Sequence, residues 1–339
     1  MTHSSIPIGV IGAGSWGTTL ANLLASKGYR VTLWVYEEQL LNILLRTQCN
    51  SWYLPGVQLQ KTLHFTADLK EAVTKKQVVL WVTPVKAFRE LFCRALPFLE
   101  KEIIHVSASK GIEPSSLQTI SQIVRSLMPR ERKQSLCILS GPSFASEVAR
   151  NMPTAVVIAS RDQNAAETVQ KIMATPFFRT YTSDDVIGVE LGGALKNVVA
   201  LAAGIVEGLG LGNNTRAALI TRGLAEIIRL GNAMGAQPLT FAGLSGIGDL
   251  VLTCTSTQSR NYSVGKELGC GKKLKDILNG MQVVVEGVAT AQAANALSAR
   301  QGIDMPIVQE IYRVLFENKQ PLQALQELMG RELKKEVRL

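Results

Sequence analysis

Residues 6–26, IPIGVIGAGSWGTTLANLLAS, decide the fold class. Ile6 to Ile11 is a short apolar, β-branched run; Gly12, Gly14 and Gly17 follow at once, and Thr18 to Ser26 then reads as a helix. Strand, glycine turn and helix in that order open a dinucleotide-binding βαβ unit. In such a unit Gly12 makes the tight turn, Gly14 lets a pyrophosphate approach backbone amides, and Gly17 lets helix and strand pack closely. A bare G-x-G-x-x-G is weak evidence. The flanking elements carry the reading, together with a second strand offered by Arg30 to Val35. An acid at the end of that second strand would accept from the ribose hydroxyls of NAD. Val35 and Tyr36 stand there instead, with Glu37 and Glu38 just beyond; either Glu37 serves the ribose or both acids are exposed loop residues, so NAD and NADP both stay open. Tyr36 either stacks on adenine or covers apolar surface.

Further strands are expected at Leu63–Thr66, Val78–Val82, Ile103–Ser107, Leu136–Leu139, Thr154–Ala159 and Phe178–Tyr181, with helical patterns such as Phe88–Leu96 and Leu117–Leu127 between some of them. That alternation predicts an α/β, Rossmann-like domain with a mostly parallel sheet over residues 1–185. Strand composition stops at Thr182–Asp185, and residues 186–339 read as an all-α domain. Asn213 or Asn214 is expected to cap a helix reaching Met234, Asp304 to cap Met305–Asn318, and Pro321 to open a last helix through Leu328.

The 339 residues are 46% hydrophobic and 19% charged, the composition of a folded two-domain protein rather than a disordered one. The net charge of +9 is compatible with nucleic acid, an anionic membrane or small anions. The dense basic cluster Arg331–Arg338 is broken by Glu332 and Glu336 and reads as a solvated tail, so no nucleic-acid partner is expected. Lys196 and Glu207 interrupt the most apolar run, so no membrane span is expected. Five cysteines without a C-x-x-C pair point to a reducing, cytoplasmic setting, and His3, His64 and His105 show no metal-ligand spacing, so no metal is expected.

Chemistry is expected where ligands meet an open α/β sheet, beyond the carboxyl ends of its strands. The loops there carry Thr83-Pro84, then Ala108 to Gly111 with Lys110, then Ser140 to Ala145 with Gly141 and Ser143. In the helical half, the middle of the stretch Val186–Gly210, Gly192 to Gly204, is so rich in apolar and small residues that a helix there must be buried nearly all round, yet it holds Lys196. Such a lysine either snorkels to a rim or lines a cavity with partners. Gly192 and Gly193, one turn earlier, leave space for a ligand or for tight helix packing. Asp249 either acts in the site or caps the helix starting near Leu250. Thr253–Asn261, with hydroxyls, an amide and Arg260 ahead of a helix, suits a phosphate or is an ordinary polar loop.

These segments together resemble the bacterial-type NAD(P)-dependent sn-glycerol-3-phosphate dehydrogenases. The resemblance runs from Gly9 to about Gly330 through GAGSWGT (Gly12–Thr18), ASKG (Ala108–Gly111), SGPSFA (Ser140–Ala145), GVELGGALKNV (Gly188–Val198), TRGLAE (Thr221–Glu226), GIGDLVLTC (Gly246–Cys254), QSRN (Gln258–Asn261) and VVEG (Val284–Gly287). It implies hydride transfer between NAD(P)H and dihydroxyacetone phosphate, giving sn-glycerol 3-phosphate for phospholipid synthesis. It implies Lys196 as the catalytic proton acceptor for alcohol oxidation, and substrate contacts from Lys110, Gly141, Ser143, Asp249, Ser259, Arg260 and Asn261. Cofactor contacts are implied for Ser15, Trp16, Lys110, Ala145, Arg260, Val284 and Glu286, beside the glycine turn and Tyr36. A homodimer is the family expectation. None of the three histidines is well placed as an acid, which leaves lysine to fill that role.

Overall fold

In the computed structural model, which describes residues 6–129, 134–280, 284–333 and 335–336, the opening run folds as expected. β1 (Pro7–Ile11) lies in the middle of an eight-stranded sheet, and its Ile8, Val10 and Ile11 are wholly buried. The other strands are β2 (Arg30–Trp34), β3 (His64–Thr66), β4 (Val78–Trp81), β5 (Ile103–Ser107), β6 (Gln134–Ser140), β7 (Thr154–Ala159) and β8 (Phe178–Ser183). They run in the order β3-β2-β1-β4-β5-β6-β7-β8. Strands β1 to β6 are parallel; β7 reverses against β6, and β8 runs parallel to β7. Chain order reverses between β1 and β4, and the crevice outside their carboxyl ends is where such sheets take a ligand.

The glycine turn forms as the residue types require. Gly12 has φ +114°, and a Cβ there would sit 2.5 Å from the Val82 carbonyl oxygen. A Cβ on Gly17 would come 1.9 Å from the Gly12 carbonyl oxygen, whereas nothing lies within 4 Å of one on Gly14. Helix Ser15–Ser26 is thus pressed onto β1, with open space before Gly14.

After β8 the chain enters helix Val186–Gly208, whose N-cap Asp185 accepts from Gly188 N at 2.9 Å. The second oxygen of Asp185 accepts from Gln237 N (2.9 Å) and Thr240 Oγ1 (2.6 Å), tying the helix start to the short turn that follows the next helix. Helices Asn213–Ala233, Asp249–Thr255, Arg260–Gly269, Glu286–Gln301 and Pro306–Phe316 all pack on this central helix. By length and mean hydropathy (1.5) it could cross a membrane, but 94% of its apolar window is buried by these neighbours. It is the core of the helical half.

Its closest contact is with helix Arg260–Gly269, at a crossing the sequence reading missed. Cβ atoms on Gly204 and Gly208 would lie 2.0 and 2.2 Å from the Tyr262 and Lys266 carbonyl oxygens; ones on Gly265 and Gly269 would lie 2.0 and 2.5 Å from those of Leu201 and Ile205. Glycines four residues apart on both helices bring backbone against backbone.

Several sequence expectations need correction. Gly212, not Asn213 or Asn214, is the N-cap of helix Asn213–Ala233, because the Asn213 side chain instead accepts from Arg216. Met305 occupies the N-cap position of helix Pro306–Phe316, and buried Glu226 accepts from Ile307 N (2.7 Å) and Val308 N (3.2 Å), doing the work expected of Asp304. Leu117 has φ +58°, so the next helix starts only at Ile120, behind a Thr119–Gln122 capping box. The last helix, Pro321–Met329, stops before the basic cluster; Arg331 pairs with Asp304, while Lys334 and residues 337–339 lie outside the described residues.

The crossing yields a test. Gly204→Ala is expected to lower stability by about 1–3 kcal/mol through overpacking, whereas Gly280→Ala, where φ is −84° and the nearest neighbour of a Cβ would be the Ile277 carbonyl oxygen at 3.6 Å, is expected to stay close to wild type. Urea unfolding of both variants checks this; equal midpoints would show that the helices separate without cost.

Candidate active site

Lys196 leaves the middle of the core helix and does not reach solvent: 7% of the residue is exposed. Its ammonium donates to Asp249 Oδ1 at 2.5 Å and Thr253 Oγ1 at 2.8 Å. Asp249 is not a cap. It lies in the first turn of helix Asp249–Thr255, behind N-cap Gly248, with 1% exposure. Its other oxygen accepts from Lys110 Nζ at 2.7 Å, and Lys110 also donates to the Gly141 carbonyl at 3.3 Å. One carboxylate therefore holds two ammoniums, one from the loop after β5 and one from the core helix.

Burial alone would push the Asp249 carboxyl up, yet the Lys110 and Lys196 ammoniums outweigh it and hold it below the usual carboxylate range. For Lys196 burial dominates. It brings the amine down to about 8, with Asp249 pulling it up and the Lys110 charge pushing it further down. A protonated lysine so placed can give up its proton near neutral pH.

The paired glycines beside Lys196 admit neighbouring protein. A Cβ on Gly192 would lie 2.4 Å from the Ser245 carbonyl oxygen, and one on Gly193 would lie 2.7 Å from Ser140 Oγ and 3.7 Å from the Lys110 stem. The packing alternative therefore describes Gly192, while Gly193 makes room for the loops after β5 and β6. Gly141, with φ +144°, turns the second of these loops, and Ser143 Oγ donates back to its carbonyl at 3.0 Å. Ala145 starts a short helix against the glycine turn, its carbonyl accepting from Thr19 Oγ1 at 3.3 Å.

The QSRN segment is built into the fold more firmly than a polar loop. Ser259 is the N-cap of helix Arg260–Gly269 and accepts from Tyr262 N at 3.3 Å. Asn261 donates to Asn197 Oδ1 and accepts from Gly287 N, both at 2.9 Å, so one amide joins three helices. Arg260 is exposed at the rim and donates to the Val284 carbonyl at 3.1 Å. Glu286, half-buried close to Gly111, is pushed up to about 7 by loss of solvent, against the pull of Arg260 and the Val85 amide. The structure thus gathers Lys110, Gly141, Ser143, Lys196 and Asp249 around one buried network, and Arg260, Val284 and Glu286 into a second group.

Tyr36 stands apart, 74% exposed, with its ring centroid 6.0 Å from that of Trp34. His64 pairs with Glu71, and His105 lies within β5, where its Nδ1 accepts from Trp81 Nε1; His3 is outside the described residues. All five cysteines are free, and among the described residues no three His, Cys, Asp or Glu side chains gather as a metal-binding group. Sequence reasoning placed Thr253 among the hydroxyls of the Thr253–Asn261 stretch and missed it as a partner of Lys196, although its place four residues after Asp249 puts both on one helix face. It also missed Gln258, which accepts from Ser146 Oγ and donates to Glu147 Oε1, each at 2.8 Å, clasping the QSRN segment to the sheet half.

The residues at the carboxyl edge fit a dinucleotide. Gly14 faces open space, and Trp16 Nε1, Thr83 Oγ1 and Ser140 Oγ are buried there without hydrogen-bond partners among the described residues. Polar atoms in such a state await a ligand or water. Sheet, glycine turn and buried lysine define a Rossmann-type nicotinamide-dependent dehydrogenase with a helical second half. The chain belongs to the NAD-dependent glycerol-3-phosphate dehydrogenase family: the model of that family's N-terminus matches residues 7–166 and that of its C-terminus residues 185–326. A relative from Geobacter sulfurreducens, named glycerol-3-phosphate dehydrogenase [NAD(P)+], is 56% identical over 329 residues, covering 97% of this chain and 98% of its own. The crystal structure of the Coxiella burnetii glycerol-3-phosphate dehydrogenase superposes with TM-score 0.93 at 39% identity, over 96% of this chain and 99% of that one. The Saccharomyces cerevisiae enzyme superposes with TM-score 0.81 at 28% identity, over 96% and 99% of the respective chains.

Asn261→Leu would leave Asn197 Oδ1 and Gly287 N unpaired, and is expected to cost about 1–3 kcal/mol. Denaturant unfolding reads this directly; an unchanged midpoint would mean that both groups find other partners.

Proposed function

We propose that this chain catalyses the reversible NAD(P)H-dependent reduction of dihydroxyacetone phosphate to sn-glycerol 3-phosphate, feeding glycerophospholipid synthesis. The bound nicotinamide supplies or takes the hydride. As the ketone carbon is reduced, negative charge grows on its oxygen, and an ammonium facing that oxygen both stabilises the charge and delivers the proton. Lys196 is our candidate for that group, and the observation that carries the reading is its buried ammonium shared between Asp249 and Thr253. Asp249 holds Lys196 and Lys110 in fixed positions, so little reorganisation is left for the transition state.

Phosphate falls to the start of helix Arg260–Gly269. Tyr262 N is taken by Ser259 Oγ and Ser263 N by the Ser259 carbonyl, which leaves the Arg260 and Asn261 amides at the helix start as donors. The Arg260 guanidinium adds charge and fork geometry. Lys110, Gly141 and Ser143 fill out the substrate side; Ser15, Trp16, Ala145, Val284 and Glu286 line the cofactor side, with the glycine turn under the pyrophosphate. In this reading residues 1–185 carry the cofactor, residues 186–339 supply the catalytic lysine and phosphate site, and the enzyme is a cytoplasmic homodimer.

Lys196→Met is expected to abolish turnover while NADH still binds, as followed by nicotinamide fluorescence; retained turnover rules the role out. Arg260→Ala is expected to weaken dihydroxyacetone phosphate far more than unphosphorylated dihydroxyacetone, and an equal loss with both would remove Arg260 from the phosphate site. The lysine value of about 8 sets the sign of the pH dependence. Ketone reduction needs the protonated amine, so its rate should fall as pH rises through that value. Alcohol oxidation needs the neutral amine and should rise. Initial rates from pH 6 to 10 in both directions check this, and parallel profiles would contradict it.

A further inference from the structure

The adenosine end of the cleft holds an acidic group whose role rests on the dehydrogenase reading of the site and bears on the choice between NAD and NADP. β2 ends at Trp34, and Glu37 occupies the N-cap position of helix Glu38–Thr47. Its side chain does not cap that helix. Instead Oε1 accepts from the Tyr53 hydroxyl at 2.9 Å, and the described residues give Oε2 no hydrogen-bond partner.

Tyr53 is itself held in place. Asn50, wholly buried, accepts from Tyr53 N at 3.0 Å and donates to the Ala13 carbonyl and Thr18 Oγ1, both at 2.8 Å. Ala13 lies inside the glycine turn. One chain of hydrogen bonds therefore runs from the turn that receives a pyrophosphate, through Asn50 and Tyr53, to the Glu37 carboxylate. Burial, reinforced by the hydrogen bond to Glu37, pushes the Tyr53 phenol up to about 12, so it remains the donor of the pair.

Positive charge is missing from these segments. No Lys or Arg occurs from Val31 to Leu45, nor from Thr47 to Gln60. Arg30 opens β2 at the amino edge of the sheet, Arg46 Nε turns back to the Asn42 carbonyl at 3.1 Å, and Lys70 lies 5.3 Å over the Phe98 ring. A ribose 2′-phosphate, carrying close to two negative charges, would meet Glu37 and Glu38 with no guanidinium or ammonium from these segments to receive it. A ribose hydroxyl would meet a carboxylate with an acceptor oxygen to spare.

We propose that Glu37, held by Tyr53 and Asn50, accepts from the adenosine ribose of NAD(H) and repels the 2′-phosphate of NADP(H), making this chain selective for NAD(H). Glu37 acts as the specificity residue and Tyr53 as its positioning residue.

Titration calorimetry of the full chain at low salt, with ADP-ribose and 2′-phospho-ADP-ribose as probes, tests this without turnover. The unphosphorylated probe is expected to bind at least about tenfold tighter, the scale of a charge pair near a protein surface. Glu37→Gln is expected to lower that ratio at least about tenfold, mainly by improving the phosphorylated probe. Glu37→Asp, which keeps the charge, is expected to preserve most of the ratio and guards against a folding artefact. Tyr53→Phe is expected to weaken ADP-ribose while leaving 2′-phospho-ADP-ribose unchanged, a split that a general loss of stability would not produce. Equal affinity of the two probes for the wild type, or an unchanged ratio in Glu37→Gln, overturns the proposal. Failure of both probes to bind overturns it together with the dinucleotide reading on which it rests.

Discussion

One buried carboxylate placed between two ammoniums holds the proposed active site together. Asp249 carries 1% exposure and accepts from Lys110 at 2.7 Å and Lys196 at 2.5 Å, one lysine from the sheet half and one from the core helix. Taking three charged groups out of water is costly, and such a cluster persists only when its geometry and hydrogen bonds are complete. Here the surroundings complete it: Thr253 receives a second bond from Lys196, and the Gly141 carbonyl a second from Lys110. The cluster carries a net positive charge. A substrate with a developing oxyanion and a phosphate is the kind of ligand that would balance it.

The same cluster joins the two halves of the chain. Lys110 to Asp249 crosses from the sheet to the helices, and Gln258 repeats the crossing through Ser146 and Glu147. Behind them the glycine-lined approach of helices Val186–Gly208 and Arg260–Gly269 sets how close Asn197 and Asn261 stand, and so where the start of the second helix lies relative to Lys196. Packing deep in the helical half thus fixes the spacing between the proposed acid and the proposed anion site. A change far from the substrate, such as an added methyl at that crossing, would alter both together.

Much of this was legible before the structure. Every expected strand is present: the buried parallel ones, such as β1 and β4, leave an apolar, β-branched mark without help from tertiary context, whereas β8 alternates buried and exposed residues at the sheet edge. The Lys196 anomaly was legible for a similar reason: one ammonium in a helix with no polar face demands a partner. What escaped depends on residues distant in sequence. Glu226 caps the Pro306–Phe316 helix from 81 positions away, and no local pattern near Asp304 reveals that. The glycines of the helix crossing are unremarkable until both helices are seen together, and the bond from Tyr53 to Glu37 needs a loop folded back over β2. Ser259 and Asn261 were expected as substrate contacts, and their cap and bridging bonds add a structural duty that composition could not show.

The central claim is that Lys196 sits in this cluster with its proton affinity reduced to the working range. Nuclear magnetic resonance of the protein with carbon-13 at the lysine ε position, titrated from pH 6 to 11 and assigned by loss of the signal in Lys196→Met, measures it directly. The Lys196 signal is expected to titrate near 8, and Asp249→Asn is expected to move it lower still, since a supporting negative charge is lost. A Lys196 signal that titrates with the surface lysines, or that is indifferent to Asp249, would contradict the account.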